Sequence, residues 1–283
     1  MKENKAMMCP RCRRMLSRDE AICPWCGQKQ PGHWFSVQHM VARIGRPGEA
    51  VKGLLWVNGI FFLLSLLLNP AETKWTLNPF AALAPDTRSL LMLGATGTWP
   101  VLKHGDWFTL VTAGFLHGGL LHLLFNMTAL YHVGQLAERV FGPFRMLLIY
   151  LVSSVAGFAL SLAGGVTLTV GASAAICGLI GALLYYAKRR GGLHGRIMYK
   201  HTQGWVIGLV VIGFIMPGIN NWGHGGGLVA GIVAAALLGY SEIRREKDRL
   251  RLFVGILALA VLALLIWVAI TALIFRGSLG RLI

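Results

Sequence analysis

The chain has 283 residues, with 27 Lys+Arg against 11 Asp+Glu, 55% hydrophobic residues and 13% charged residues. Soluble domains carry about 25% charged residues, so an ordinary soluble enzyme is excluded, as is a disordered chain. Five Cys over this length also exclude a disulfide-rich secreted scaffold.

Residues 1–52 stand apart from the rest. They hold 10 Lys+Arg, four of the five Cys and no long apolar run. Met1 to Met8 contain no apolar h-region, so this is not a secretory signal peptide, and the first hydrophobic segment is expected to stay as an anchor. Cys9-Pro-Arg-Cys12 and Cys23-Pro-Trp-Cys26 are two CxxC knuckles ten residues apart. Each knuckle turns two thiolates toward one side of a metal, and two knuckles close a tetrahedron. The pair resembles a short zinc ribbon over 1–30, with Cys9, Cys12, Cys23 and Cys26 as ligands to a structural Zn2+. Iron in a rubredoxin-like site and a pair of disulfides are the other readings; a cytoplasmic position argues against disulfides. All four positions are filled by protein, so the expected role is structural, or that of a docking module for a cytoplasmic protein partner. Residues 31–50, with Pro31, Gly32, Gly45, Pro47 and Gly48, read as a linker.

From Leu54 onward uncharged stretches dominate. A spanning helix needs about 20 mostly apolar residues, and seven candidates follow: about 51–68, 117–136, 145–163, 170–187, 203–217, 221–240 and 252–275. Gly164-Gly165 splits the uncharged run 146–187, and Pro217-Gly218 splits 202–241. The loop 69–116 is unusually long, and its Trp75, Trp99 and Trp107 suit a membrane–water interface. With the N-terminus inside, 22 of the 27 basic residues fall on inside segments. The positive-inside rule then puts the N-terminus in the cytoplasm and the C-terminus outside, in a multi-pass protein of a cell membrane, with a bacterial inner membrane as the expected location. The net charge of +16 is thus spread over cytoplasmic loops. No nucleic-acid-binding motif accompanies it, so no nucleic-acid partner is expected.

Reactive groups inside spans are costly and are functional candidates by default. The second, fourth and sixth spans all run from outside to inside, so their N-terminal ends share one level. Span two opens with His117, His122 and Asn126, the last two on one helix face. Span four opens with Gly171-Ala172-Ser173. Span six opens with Asn221-Trp222-Gly223-His224. Gly223, Gly227 and Gly231 recur every fourth residue, as do Ala174, Gly178 and Ala182 in span four. Small-residue faces let helices approach closely, and if these two faces meet, Ser173 and His224 come together.

HGGLLHLLFNM (117–127), GASAAICGLIGA (171–182) and GHGGGLVAG (223–231) resemble the motifs of the rhomboid family of intramembrane serine proteases, in order and spacing over about 54–240. The resemblance implies an all-α six-helix rhomboid bundle over 51–240. Residues 241–283 add a cytoplasmic loop and a seventh transmembrane helix. It implies a Ser173–His224 dyad, with an oxyanion hole from His122, Asn126 and the Ser173 backbone N–H. The substrates it implies are transmembrane segments of other membrane proteins within the lipid, and no cofactor serves catalysis. His117 then looks like a loop-holding residue. His132, ten residues beyond His122 and roughly 15 Å deeper, is expected to be a buried packing residue. Two departures stand out. Trp107-Phe108 occupies a place where the family often has Trp-Arg, and Cys177 one where it usually has an aromatic residue, which leaves either a gap beside His224 or a thiol facing the site. No role follows from the sequence for Asn220-Asn221-Trp222. A catalytically dead rhomboid-like binder is the second reading. A transporter or channel would need repeats or midplane charges, which are absent.

Overall fold

The structure is a computed structural model and describes residues 6–9, 12–17, 20–27, 44–74, 76, 82–215, 218–243 and 246–275. Most of the linker, Trp75, Pro217 and the C-terminal arginines Arg276 and Arg281 lie outside the described residues.

The N-terminal module is a two-stranded antiparallel hairpin, β1 (Ala6–Met8) and β2 (Met15–Ser17), with Met7 opposite Leu16. Cys9, Leu16 and Cys23 form its small buried core. So few apolar residues cannot hold a fold of this size by burial alone, and below about 40 residues metals or disulfides usually do so.

The remainder is helical. The long helices are α1 (Glu49–Leu68), α4 (Leu120–Phe141), α5 (Pro143–Ala163), α6 (Ser173–Arg190), α7 (Gly192–Ile215), α8 (Asn221–Leu238) and α9 (Asp248–Phe275), with short α2 (Thr87–Met92) and α3 (Thr109–Thr112) between α1 and α4. By length and composition α1, α5, α8 and α9 suffice to cross a membrane among the described residues, and Thr109–Phe115 with α4 passes the same test as a pair bent by 92°, the geometry of a broken span or a re-entrant loop. The protein is therefore a multi-pass membrane protein. Spans four and five of the sequence reading are α6 and α7, which fall short on apolarity for different reasons. α6 is enclosed by α4, α5, α7 and α8, and its last turn is Lys188-Arg189-Arg190, three charges on a helix of only 18 residues. α7 begins at Gly192, earlier than expected, and carries His194, Arg196, Lys200 and His201 in its first turns. The basic stretch 188–202 is accordingly helix end, turn and helix start rather than loop.

Helix ends are closed by identifiable groups. Gly142 takes φ 86 and Pro143 opens α5, so the α4–α5 turn is tight. The buried Glu138 accepts from the Gly48 N–H at 2.6 Å at the start of α1. Glu246 accepts from Phe144 N–H (3.1 Å) and Arg145 N–H (3.0 Å), capping α5 from the segment that leads into α9.

The long loop is folded. Besides α2 and α3 it contains a π turn, Trp99–Lys103, and two isolated bridges, Lys74 with Ala84 and Thr96 with Thr169. The second bridge ties the loop to the segment just before α6. Trp99 and Trp107 are exposed. Phe108 meets Trp267 of α9 edge-on at 5.7 Å, so the position where the family often has Arg is here an apolar contact with the seventh long helix.

Candidate active site

In lipid, helices associate through close packing rather than through expulsion of water, which favours small residues at the seam. α6 and α8 meet in that way. A methyl group at Gly227 would lie 2.8 Å from the carbonyl carbon of Ala174, and one at Gly231 would lie 2.5 Å from that of Gly178. Residue numbers rise together along the seam, so the two helices run parallel, with Ser173 and His224 both at their N-terminal ends. The expected faces meet, with two adjustments. Gly223 turns to Asn220 and to Ser161 of α5, and Gly181 rather than Ala182 approaches Leu228. Gly157 of α5 closes the same junction, since a methyl there would sit 2.5 Å from the Gly223 carbonyl oxygen and 2.8 Å from Ala174 Cβ. Periodicity within α6 and α8 could not show Gly157, because its partners lie on other helices.

Ser173 is half-buried at the first position of α6. Before it, Gly171 has φ 128, and a Cβ there would press on the His122 ring at 2.9 Å and lie in ordinary contact with Ser173 Oγ at 3.8 Å. Only glycine satisfies both the conformation and the close approach. Its N–H donates to the Ala113 carbonyl at 2.9 Å, fastening this turn to the folded loop. The His122 side chain and the Ser173 hydroxyl thus flank one small space.

The His122 ring is oriented by its neighbours. Its Nδ1 accepts from Gly118 N–H at 3.3 Å, which leaves the proton on Nε2, and Nε2 and Cε1 form the edge of the ring turned toward Gly171. His117 is fully buried and stacks edge-on against His122 at 5.2 Å, with neither of its ring nitrogens hydrogen-bonded. It is a packing partner for His122. Asn126 is 6% exposed, and its Nδ2 donates to the His122 carbonyl at 2.9 Å, leaving one amide hydrogen uncommitted. His224 is half-buried, and its Nδ1 is buried without a partner. Among the described residues no side-chain hydrogen bond joins Ser173 to His224; such bonds often tighten only when substrate arrives.

Two sequence expectations need correcting. Cys177 is only 2% exposed and does not face an open cavity. It lies one turn below Ser173 on a helix enclosed by protein. His132 is exposed on the flank of α4, edge-on to Tyr131 at 5.2 Å, and is not a core residue. Ten helical residues rotate the side chain by roughly 80° from the His122 direction, which carries it off the inward face.

The segment before His224 is more structured than its sequence announced. Asn220 caps α8, its side chain accepting from Gly223 N–H at 2.9 Å. Its Nδ2 also donates to Ser161 Oγ (2.7 Å) and Thr169 Oγ1 (3.0 Å). Asn221 Nδ2 donates to the Gly213 carbonyl of α7 at 2.8 Å. Trp222 covers Gly164, where a methyl would meet the indole at 2.5 Å.

The four N-terminal cysteines form a second centre. Their sulfur atoms all lie within 4.8 Å of one another, with Cys9–Cys26 at 3.6 Å and Cys12–Cys23 at 3.7 Å, and none is disulfide-bonded. A tetrahedron with metal–sulfur bonds of about 2.3 Å has sulfur–sulfur edges of about 3.8 Å, so the donor set fits a tetrahedral metal. Burial alone would push the Cys23 thiol up. The backbone N–H groups of Trp25 and Cys26, with the neighbouring Cys9 and Cys26 thiols, bring it down to about 7, toward the thiolate a metal binds.

Comparison with known proteins agrees with this layout. Residues 104–241 match the rhomboid domain. Rhomboid protease GluP of Bacillus subtilis is 39% identical over 181 residues, which cover 62% of this chain and 34% of GluP. RHOMBOID-like protein 4 of Arabidopsis thaliana is 32% identical, over 55% of this chain and 40% of its own length. This chain therefore spans well under two thirds of those two relatives. YdcA of Bacillus subtilis, also named as a rhomboid, is 33% identical, and the match covers 51% of this chain and 73% of YdcA. At that identity and coverage, together with the rhomboid-domain match, the chain belongs to the rhomboid family.

Proposed function

We propose that the protein is an intramembrane serine endopeptidase that cleaves transmembrane segments of other membrane proteins. The observation that carries this reading is the parallel α6–α8 seam. Backbone contact at Ala174–Gly227 and Gly178–Gly231 brings Ser173 and His224 to the same end, beside the Nε2–H of His122. Ser173 Oγ attacks the scissile carbonyl carbon while His224 removes its proton, and a tetrahedral intermediate forms. Its oxyanion is held by His122 Nε2–H, the uncommitted Asn126 amide hydrogen and the Ser173 backbone N–H, aided by the positive N-terminal end of α6. Collapse of the intermediate breaks the C–N bond, and His224 returns the proton to the leaving amine. Water then hydrolyses the acyl-enzyme with His224 again as base.

A helical peptide bond cannot lie extended across such a site, so the substrate must unwind there. Small residues at the scissile bond and helix breakers beyond it are the preferred context. α7 and the long outer loop form the entry gate. The main neighbour of α7 is α6, and Gly204 and Gly208 face open space. A disulfide tethering α7 to α4 should suppress cleavage; unchanged cleavage would remove the gate. The cysteine module holds a structural Zn2+ through Cys9, Cys12, Cys23 and Cys26, and the protein sits in a bacterial inner membrane with that module in the cytoplasm.

The central test is cleavage of a single-span reporter in reconstituted membranes by wild type, Ser173→Ala, His224→Ala and chelator-treated protein. Loss in both variants is the expected result. No wild-type cleavage, with no fluorophosphonate labelling of Ser173, would favour the non-proteolytic binder.

A further inference from the structure

We infer that Asn220 is a positioning residue that sets the alignment of Ser173 with His224; this rests on the dyad reading above. Asn220 stands four residues before His224, and Thr169 stands four residues before Ser173. One side-chain amide joins the two segments. Its Nδ2 donates to Thr169 Oγ1 at 3.0 Å and to Ser161 Oγ at 2.7 Å, while its carbonyl oxygen accepts from Gly223 N–H at 2.9 Å. The Asn220 main-chain carbonyl also accepts from His224 N–H at 3.1 Å. Each anchor is itself fixed. Thr169 exchanges backbone hydrogen bonds with Thr96 in the long loop (2.6 and 3.2 Å), and Ser161 donates to the Gly157 carbonyl at 2.9 Å. Gly157 is the glycine wedged between Ala174 and Gly223. The amide therefore connects the helix that carries His224, the strand-like run into Ser173 and the helix that packs against both.

The seam glycines set how closely α6 and α8 approach, but a smooth glycine face resists sliding and rotation poorly. The Asn220 amide supplies the directional bonds that such a face lacks. Alignment matters because a misplacement of about 1 Å costs on the order of 100-fold in rate.

The role separates from simple helix capping by substitution. Asn220→Ser keeps a good N-cap, but a serine is too short to reach Ser161 and Thr169. Thr169→Val removes one of those two bonds without touching the cap. In the full-length protein, the rate of Ser173 labelling by a fluorophosphonate and the kcat and KM for a reporter are measured beside the melting temperature. Asn220→Ser should slow labelling and lower kcat by about 10- to 100-fold, with KM and melting temperature near wild type. Asn220→Ser combined with Thr169→Val should lose little more than Asn220→Ser alone. Labelling at the wild-type rate in Asn220→Ser would overturn the inference and leave the dyad standing. So would a rate loss that merely tracks the folded fraction. Absence of Ser173 labelling in wild type would instead overturn the dyad, and the inference with it.

Discussion

Gly231→Ala tests the seam from below the site. The added methyl would overlap the Gly178 carbonyl oxygen and lie 2.5 and 2.6 Å from the Gly178 carbonyl carbon and Cα. Carbon atoms in contact prefer about 3.5–4.0 Å, so α6 and α8 must part by roughly 1 Å. The obstruction is main chain on both sides, so no side chain can swing away. Overpacking of this kind costs about 1–3 kcal/mol. Parting by the same amount at Ser173 and His224 would lower kcat by about 100-fold. Gly225→Ala is the control, because nothing lies within 4 Å of a methyl there and alanine in a helix is favoured over glycine by about 0.5–1 kcal/mol. Melting in detergent and reporter cleavage should both fall for Gly231→Ala and hold for Gly225→Ala. Wild-type melting and cleavage in Gly231→Ala would refute the argument that backbone contact along this seam sets the site.

Cys177 should resist a membrane-permeant maleimide in the folded protein and react fully once denatured, as read by peptide mapping; rapid native labelling would mean that the enclosure around α6 opens. Purified protein should contain one zinc per chain by elemental analysis, and Cys9→Ser or Cys23→Ser should lower that content. Iron at the same stoichiometry would reassign the metal, and no metal would remove the site. Glu246→Ala, which strips the cap from Phe144 and Arg145 N–H, should cost about 1 kcal/mol in denaturant unfolding, with Glu246→Gln milder; an unchanged midpoint for Ala would show that the α9 linker does not hold α5.

The features legible in the sequence are those whose signal is local or periodic. Two CxxC turns announce four sulfurs around one point because each pair is set by a single turn. Glycines every fourth residue announce a smooth helix face because the helix repeat alone determines it. The apolar runs of α1, α5, α8 and α9 announce spans because their length and composition alone meet what a bilayer crossing requires. α6 shows where that logic thins, since Lys188-Arg189-Arg190 in its last turn dilute an otherwise apolar run. His132 failed for a different reason. Distance along the helix sets its depth, while rotation around the helix decides its burial.

What escaped the sequence is long-range pairing, and those pairs give the bundle its directions. Glu138 caps a helix that begins 90 residues earlier in the chain, and Glu246 caps one that begins about 100 residues earlier. Asn220 reaches Ser161 and Thr169, 59 and 51 residues back. Nothing in the residues around Asn220 marks it, because an asparagine before a helix is an ordinary cap until its second set of bonds is seen. Phe108 makes the same point from the other side. Judged against the family pattern it reads as a loss, an arginine missing from a loop that needs hydrogen bonds. In place it is a gain, because the loop borrows an aromatic contact from Trp267 on the seventh long helix. That helix adds a wall against which the outer loop rests, and the same loop carries Thr96 to Thr169 and Ala113 to Gly171. The departure at residue 108 is therefore read correctly only together with α9. The apolar contact with that helix supports the loop that fastens the Ser173 turn.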